Sequence, residues 1–224
     1  MTEYPTVRPF RVEVTVDAPR DAVWRALTDP AEIRRWFGWD YEGLDDEIRF
    51  IFVDHAKQEP PGRIVFEEYQ VIELEEDGPR TIVRVVKPGP LAGVSWDDLY
   101  DEVIQGWRTF FQQLRHQLER HPGAERRTVY LSGRAAPAAA LGALEAKAPG
   151  TPWDEGRHQR AIALDRWGGA LVSLLTSEPL TSDTEAKAAI TVTTYDVDDA
   201  TFDEIRREWA DWWRARAREP QVTS

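Results

Sequence analysis

The chain has 224 residues, enough for one large domain or two small ones, and it contains no cysteine, which excludes disulfides and thiolate metal sites. Its formal net charge of −12 at pH 7 disfavours binding to nucleic acid and to anionic membranes, because both require a basic surface. No apolar run approaches the ~20 residues of a membrane-spanning helix, and the N-terminus lacks the pattern of a signal peptide. We therefore expect a cytoplasmic protein with no nucleic-acid or membrane partner.

The first predicted elements lie in residues 10–37, FRVEVTVDAPRDAVWRALTDPAEIRRWF. Apolar and polar residues alternate from Phe10 to Val16, which predicts a strand with one buried face. Pro19 then starts a helix, because proline fits the first helical turn. Pro30 starts a second helix, which is predicted to end at Gly38.

A strand followed by APRDAVWRALTDPAEIRRWF resembles the start of the START-related (SRPBCC) superfamily, in its branch of activator of heat-shock-protein ATPase homologue-like and polyketide cyclase-like proteins. The resemblance implies an α+β helix-grip fold. In that fold a curved antiparallel sheet wraps around a long C-terminal helix, and a ligand cavity lies between them.

The elements after Gly38 fit this order. Segments rich in β-branched and aromatic residues predict strands over Glu47 to Asp54, Arg63 to Leu74 and Thr81 to Lys87, joined by turns that contain Gly and Pro. A long amphipathic helix is predicted from Ser95 to Arg120. Its apolar face consists of Leu99, Val103, Trp107, Phe110, Phe111, Leu114 and Leu118.

Residues 123–224 repeat features of residues 1–122. Three pairs of similar residues lie 102 positions apart, at 101 and 203, 107 and 209, and 110 and 212. The Ala-Pro pair at 136–137 repeats the pair at 18–19 with an offset of 118, so the second copy would be about 16 residues shorter. We interpret the chain as a helix-grip domain over residues 1–122 and a smaller, degenerate repeat over residues 123–224. Chance is the alternative, since any two α+β segments that end in an amphipathic helix share this much.

The second copy should have the order strand, helix, three strands, long helix. The predicted elements are strands at Thr128 to Gly133, His158 to Asp165, Ala170 to Thr176 and Ala189 to Tyr195, a helix that starts at Ala136-Pro137, and a final helix with Trp209, Trp212 and Trp213. Those three tryptophans cannot share one narrow seam, because Trp212 and Trp213 differ by about 100° around a helix. Homodimerisation and packing against the first domain both explain them.

Motifs for nucleophilic catalysis, metal binding and phosphate binding are missing from the sequence. Its four histidines, His55, His116, His121 and His158, have no metal-ligand spacing, and we expect His116 to lie solvated near the end of its helix. Neither a Gly-Xaa-Ser-Xaa-Gly sequence nor a P-loop is present. We therefore expect no cofactor and no metal.

Aromatic residues are the main functional signal, because they fall on faces that should meet between the sheet and the first long helix. A few polar residues on the same strand faces would orient a ligand in this apolar space. The candidate ligand-binding residues are Phe50, Phe52, Asp54, Phe66, Glu68, Arg84, Trp107 and Phe111. Glu68 and Arg84 would then form an ion pair or hold the ligand. The alternative is that Asp54, Glu68 and Arg84 face outward and are solvated.

Three functions follow from these observations. The first is binding of an apolar or aromatic small molecule in a cavity between the sheet and the long helix. The second, implied by the resemblance, is a polyketide cyclase or dehydratase-like enzyme that would use Asp54, His55, Glu68 and Arg84. The third is a co-chaperone-like interaction module. Clustering of those polar residues in one pocket would favour the enzyme, and their dispersal would favour binding or packing.

Overall fold

The protein is an α+β protein with two antiparallel sheets, each covered by a long helix. A computed structural model describes residues 10–66, 70–87 and 96–224. This architecture confirms the predicted fold class. In the described residues, no helix is both long and apolar enough to cross a membrane.

The first sheet has the strand order β1-β5-β4-β3-β2, with all neighbours antiparallel. Its strands are β1 Phe10–Val16, β2 Ala56–Glu59, β3 Arg63–Phe66, β4 Val71–Asp77 and β5 Arg80–Lys87. The chain between β1 and β2 is helical: α1 Arg20–Thr28, α2 Pro30–Ile33, α3 Leu44–Arg49 and a π-helix Phe50–Asp54. The long helix α4, Trp96–Arg120, follows β5.

The strand predicted over Glu47 to Asp54 is wrong, because this segment is helical. The apolar residues Leu44, Ile48 and Phe52 are four positions apart and all buried, so they form the inner stripe of a helix. Residues four positions apart also lie on the same face of a strand, so this spacing is equally compatible with the alternating pattern of a strand. The strand predicted over Arg63 to Leu74 is in fact two strands, β3 and β4, which pair antiparallel. The sequence between them contains no Gly or Pro.

The second sheet has the order β11-β6-β10-β9-β8-β7. Its strands are β6 Arg126–Ala135, β7 Thr151–Glu155, β8 Gln159–Ala163, β9 Leu171–Thr176, β10 Ala186–Tyr195 and β11 Arg218–Thr223. Two helices belong to this half of the chain: α5 Pro137–Lys147 and α6 Asp199–Arg214. The sequence prediction identified four of these strands and missed β7 and β11.

The two sheets have the same topology. The order β6-β10-β9-β8-β7 is that of β1-β5-β4-β3-β2 with every strand moved on by five, and β11 adds one strand at the β6 edge. The second copy is shorter because only residues 148–150 separate α5 from β7, whereas α2, α3 and the π-helix lie between α1 and β2. The repeat is therefore visible in the strand order, while the boundary at residue 122 stays a prediction.

Helix α4 lies between the two sheets. One side contributes Phe111 and Leu114 to the core of the first sheet, and the opposite side, with Thr109 and Gln113, hydrogen-bonds to the second sheet. Helix α6 covers the other face of the second sheet. The layers are thus first sheet, α4, second sheet and α6.

The three tryptophans of α6 are spread over a wide part of the helix surface. Trp209 and Trp213 are fully buried against the second sheet, and the Trp213 Nε1 donates to the Ser132 carbonyl at 2.9 Å. Trp212 is half-buried and packs on both neighbours. Among the described residues, these tryptophans pack on the second sheet and on one another and not against the first domain, and homodimerisation stays a prediction.

We expect Leu114→Ala to lower the free energy of unfolding by about 2–5 kcal/mol, because Leu114 is fully buried in the layer that joins α4 to the first sheet. Leu118→Ala is the matched control, since Leu118 is on the same face but only partly buried. Urea denaturation would measure both. Equal losses for the two variants would contradict the position assigned to α4.

Candidate functional site

Four of the predicted aromatic residues form a continuous cluster between the first sheet and α4. The ring of Phe52 lies 5.5 Å from that of Phe66, Phe66 lies 6.0 Å from Trp107, and Trp107 lies 5.5 Å from Phe111, measured between ring centroids. The four residues come from three elements: Phe52 from the π-helix, Phe66 from β3, and Trp107 and Phe111 from positions one helical turn apart on α4. We call Phe52, Phe66, Trp107 and Phe111 the aromatic cluster.

The aromatic cluster runs from the core to the surface. Phe52, Phe66 and Phe111 are buried, whereas Trp107 is only partly buried. The Trp107 Nε1 donates a hydrogen bond to Gln70 Oε1 at 2.8 Å, which fixes the ring at the edge of the cluster. We did not predict a role for Gln70. Trp36 and Phe37, whose rings pack on Phe52, were known only as the end of a predicted helix.

The other predicted site residues lie elsewhere, apart from Glu68, which is outside the described residues. Phe50 is 57% exposed and its ring packs on His55. Asp54 is exposed and forms an ion pair with Arg49 at 3.6 Å. Both positions follow from the π-helix, which turns Phe50 and Asp54 away from the buried stripe.

Arg84 points away from α4. Its neighbours Val83 and Val85 on β5 are fully buried, so the alternation of the strand puts Arg84 on the outer face of the sheet. There it forms ion pairs with Glu13 of β1 and Glu75 of β4. Hydrogen bonds from Arg11 and Arg84 lower the pKa of Glu13. Arg84 therefore lies apart from Asp54 and His55, which are neighbours at the end of the π-helix.

The side of α4 that faces the second sheet is polar. Thr109 donates to Gln159 Oε1 at 2.8 Å, and Thr193 donates to Gln113 Oε1 at 3.2 Å. Arg108 forms a two-pronged pair with Asp154, with distances of 2.9 and 2.8 Å. The repeated glutamines of this helix were the signal in the sequence, and we did not predict their role.

The expectation that His116 is solvated is wrong. Only 2% of it is exposed, because Trp153 and Tyr195 of the second half pack against it. Burial lowers the pKa of His116 to about 3, with smaller contributions from the neighbouring charges of His121, Arg120 and Arg115. Its Nδ1 has no hydrogen-bond partner among the described residues. Burial likewise raises the pKa of the Tyr195 hydroxyl.

A buried arginine ties the two halves together near the end of α2. Arg126 of β6 donates to the carbonyl oxygens of Phe37 at 2.9 Å and Gly38 at 3.1 Å, and burial lowers its pKa. The Thr128 amide donates to the Asp40 carboxylate at 2.6 Å beside it. Within the described residues, no group of three or more His, Asp and Glu side chains could hold a metal ion.

Comparisons with known proteins give structural matches only. No protein-family model matches the sequence, and no curated protein matches it significantly. The Aha1 dimer from Colwellia psychrerythraea matches with a TM-score of 0.38 and 15% identity, over 52% of this chain and 99% of that one.

CalU16 from Micromonospora echinospora matches with a TM-score of 0.37 and 23% identity, over 52% of this chain and 78% of that one. DynU16, from the dynemicin biosynthetic locus, matches with a TM-score of 0.36 and 18% identity, over 92% of this chain and 95% of that one. With every TM-score below 0.5, these matches carry no argument about function.

The stability of the protein should fall as the pH drops below about 6.5, the ordinary pKa of histidine. The folded state holds His116 neutral, so the unfolded state binds the extra proton and the stabilisation is lost progressively from pH 6.5 toward the folded pKa of about 3. The slope from this one group is at most ~1.4 kcal/mol per pH unit.

Urea denaturation between pH 7.5 and 4.5 measures this slope, and His116→Gln should reduce it. The control is His55→Gln, because His55 lies near the π-helix and not between the sheets. An unchanged slope in His116→Gln would contradict the burial of a neutral imidazole.

Proposed function

We propose that the protein binds an apolar or aromatic small molecule at the aromatic cluster between the first sheet and α4. One observation carries the proposal: the rings form a path from the fully buried Phe111 to the partly buried Trp107. Ile104 and Phe110, beside Trp107 on α4, are also only partly buried. An apolar ligand would cover this remaining surface at a gain of about 25 cal/mol per Å² of apolar area removed from water.

Trp107 would be the main contact. An indole offers a large flat apolar face, and its hydrogen bond to Gln70 holds the ring in one orientation, so little side-chain entropy is lost on binding. Gln70 also supplies polar groups at the rim, which would orient a ligand that carries a hydroxyl or carbonyl group. Glu68 and the side chains of residues 96–103 lie outside the described part of the chain.

Binding is favoured over catalysis because the predicted catalytic residues Asp54 and Arg84 do not lie together. Asp54 is paired with Arg49 on the π-helix, and Arg84 is paired with Glu13 and Glu75 on the outer face of the first sheet. General acid-base catalysis requires such groups within hydrogen-bond reach of one reacting atom.

The proposal includes a cytoplasmic location, which the absence of cysteine supports.

The neutral fluorescent probe N-phenyl-1-naphthylamine tests the proposal. We expect its emission to rise when it is titrated with the protein, and we expect Trp107→Leu to weaken its binding by about tenfold, or ~1.4 kcal/mol, because the main aromatic contact is lost.

Trp212→Leu is the matched control, since it makes the same change at a partly buried tryptophan on α6, beyond the second sheet. Circular dichroism would verify that both variants are folded. A wild-type protein that does not bind the probe, or a Trp107→Leu variant that binds as tightly as the wild type, would refute the proposal.

A further inference from the structure

The second sheet carries a groove of about 820 Å³ on the face that turns toward α4. Its floor includes a row of residues that are direct partners across four neighbouring strands: Gln221, Ser132, Ala189 and Leu175. Because the side chains of Ser132 and Ala189 are small, the groove is deepest at the centre of this row. The volume lies in the range of about 300–1,000 Å³ that is typical of small-molecule sites.

Helix α4 supplies one wall of the groove through Gln105. The amide oxygen of Gln105 is buried and has no hydrogen-bond partner among the described residues. A buried acceptor without a partner is destabilising, so a ligand that donates a hydrogen bond to this oxygen would recover part of that cost.

The other lining residues disfavour anionic ligands and purely apolar ligands. The acids Glu178, Glu185 and Glu219 are mixed with the bases Arg134 and Lys187 in the lining. Arg134 and the neighbouring Arg218 are paired with Glu185 at 3.1 and 3.3 Å, so an anion would have to compete with this carboxylate for them. An apolar ligand would remove the hydroxyl and amide groups of the floor from water without giving them partners.

Tyr130 provides a fixed aromatic group in the groove. Its ring is stacked on Trp39, with 3.9 Å between centroids and 8° between planes. Burial raises the pKa of its hydroxyl, so the phenol stays neutral and can both donate and accept a hydrogen bond. Hydroxyls, neutral amides and one rigid ring suit a ligand with many hydroxyl groups.

We propose that this groove is a second binding site, for the pyranose ring of a neutral glycoside, with Gln105, Ser132 and Gln221 as its hydrogen-bonding groups. The proposal does not depend on the function proposed for the aromatic cluster. Gln105 and Trp107 are two residues apart on α4 and therefore point to opposite sides of that helix. The two sites would bind ligands of different polarity.

Saturation-transfer NMR on the full chain tests the proposal with the p-nitrophenyl and methyl β-glycosides of glucose, galactose and N-acetylglucosamine. Free p-nitrophenol controls for binding through the aromatic group alone. We expect transfer to the sugar protons of at least one glycoside. If transfer is also seen with the methyl glycosides, the natural ligand would be a free sugar. If it is seen only with the p-nitrophenyl glycosides, the natural ligand would be a glycosylated small molecule.

Two variants locate the binding. Ala189→Trp should abolish it by filling the floor, and Gln105→Leu should weaken it about tenfold by removing the amide without a large change in volume. If Ala189→Trp does not fold, Gln105→Leu carries the test. Trp107→Leu should leave the glycoside signal unchanged while it weakens binding of N-phenyl-1-naphthylamine.

Three results would overturn the proposal: no transfer to any glycoside, transfer to p-nitrophenol alone, or equal transfer in the wild type and in the folded groove variants. Loss of probe binding with an intact glycoside signal would refute only the function proposed for the aromatic cluster.

Discussion

The structure depends on helix α4, which packs against both sheets with two chemically different sides. Phe111 and Leu114 bury one side in the apolar core of the first sheet, and Thr109, Gln113 and His116 bury the other against the second sheet. A helix that is covered all round is usually apolar all round. Here the polar side must find partners in the second half of the chain, so the fold of each half sets the environment of the other.

The polar groups at this junction fix the relative orientation of the two sheets as well as holding them together. An apolar contact tolerates sliding, whereas the two-pronged pair of Arg108 with Asp154 and the bonds from Arg126 to two carbonyl oxygens are satisfied in one arrangement. The net gain per hydrogen bond is modest, about 0.5–1.5 kcal/mol, but leaving one of these groups unpaired costs more. The junction therefore resists misalignment of the two sheets more strongly than its net stability suggests.

The same division of α4 separates the two proposed sites. Trp107 belongs to the apolar side and continues the aromatic cluster of the first sheet, while Gln105 belongs to the polar side and borders the groove on the second sheet. A duplicated fold would ordinarily offer two equivalent ligand positions. In the second copy, Trp209 and Trp213 fill the space between sheet and helix, and the groove lies on the opposite face of the sheet. The two copies thus share strand order but not the place where a ligand would fit.

The sequence alone predicted part of the local structure, including β1, β5 and α4, and it predicted the repeat. Alternation located β1 and β5, three-and-four spacing located α4, and the offsets of 102 and 118 residues indicated a second, shorter copy, because these signals depend only on neighbours along the chain. Phe52, Phe66, Trp107 and Phe111 were also predicted to meet. The helical state of residues 44–54 and the outward direction of Arg84 were decided by tertiary structure, since four-residue spacing fits both a helix and a strand, and the buried face of a strand depends on its neighbours. The burial of His116 and the polar junction likewise required the second sheet, which lies far away in sequence.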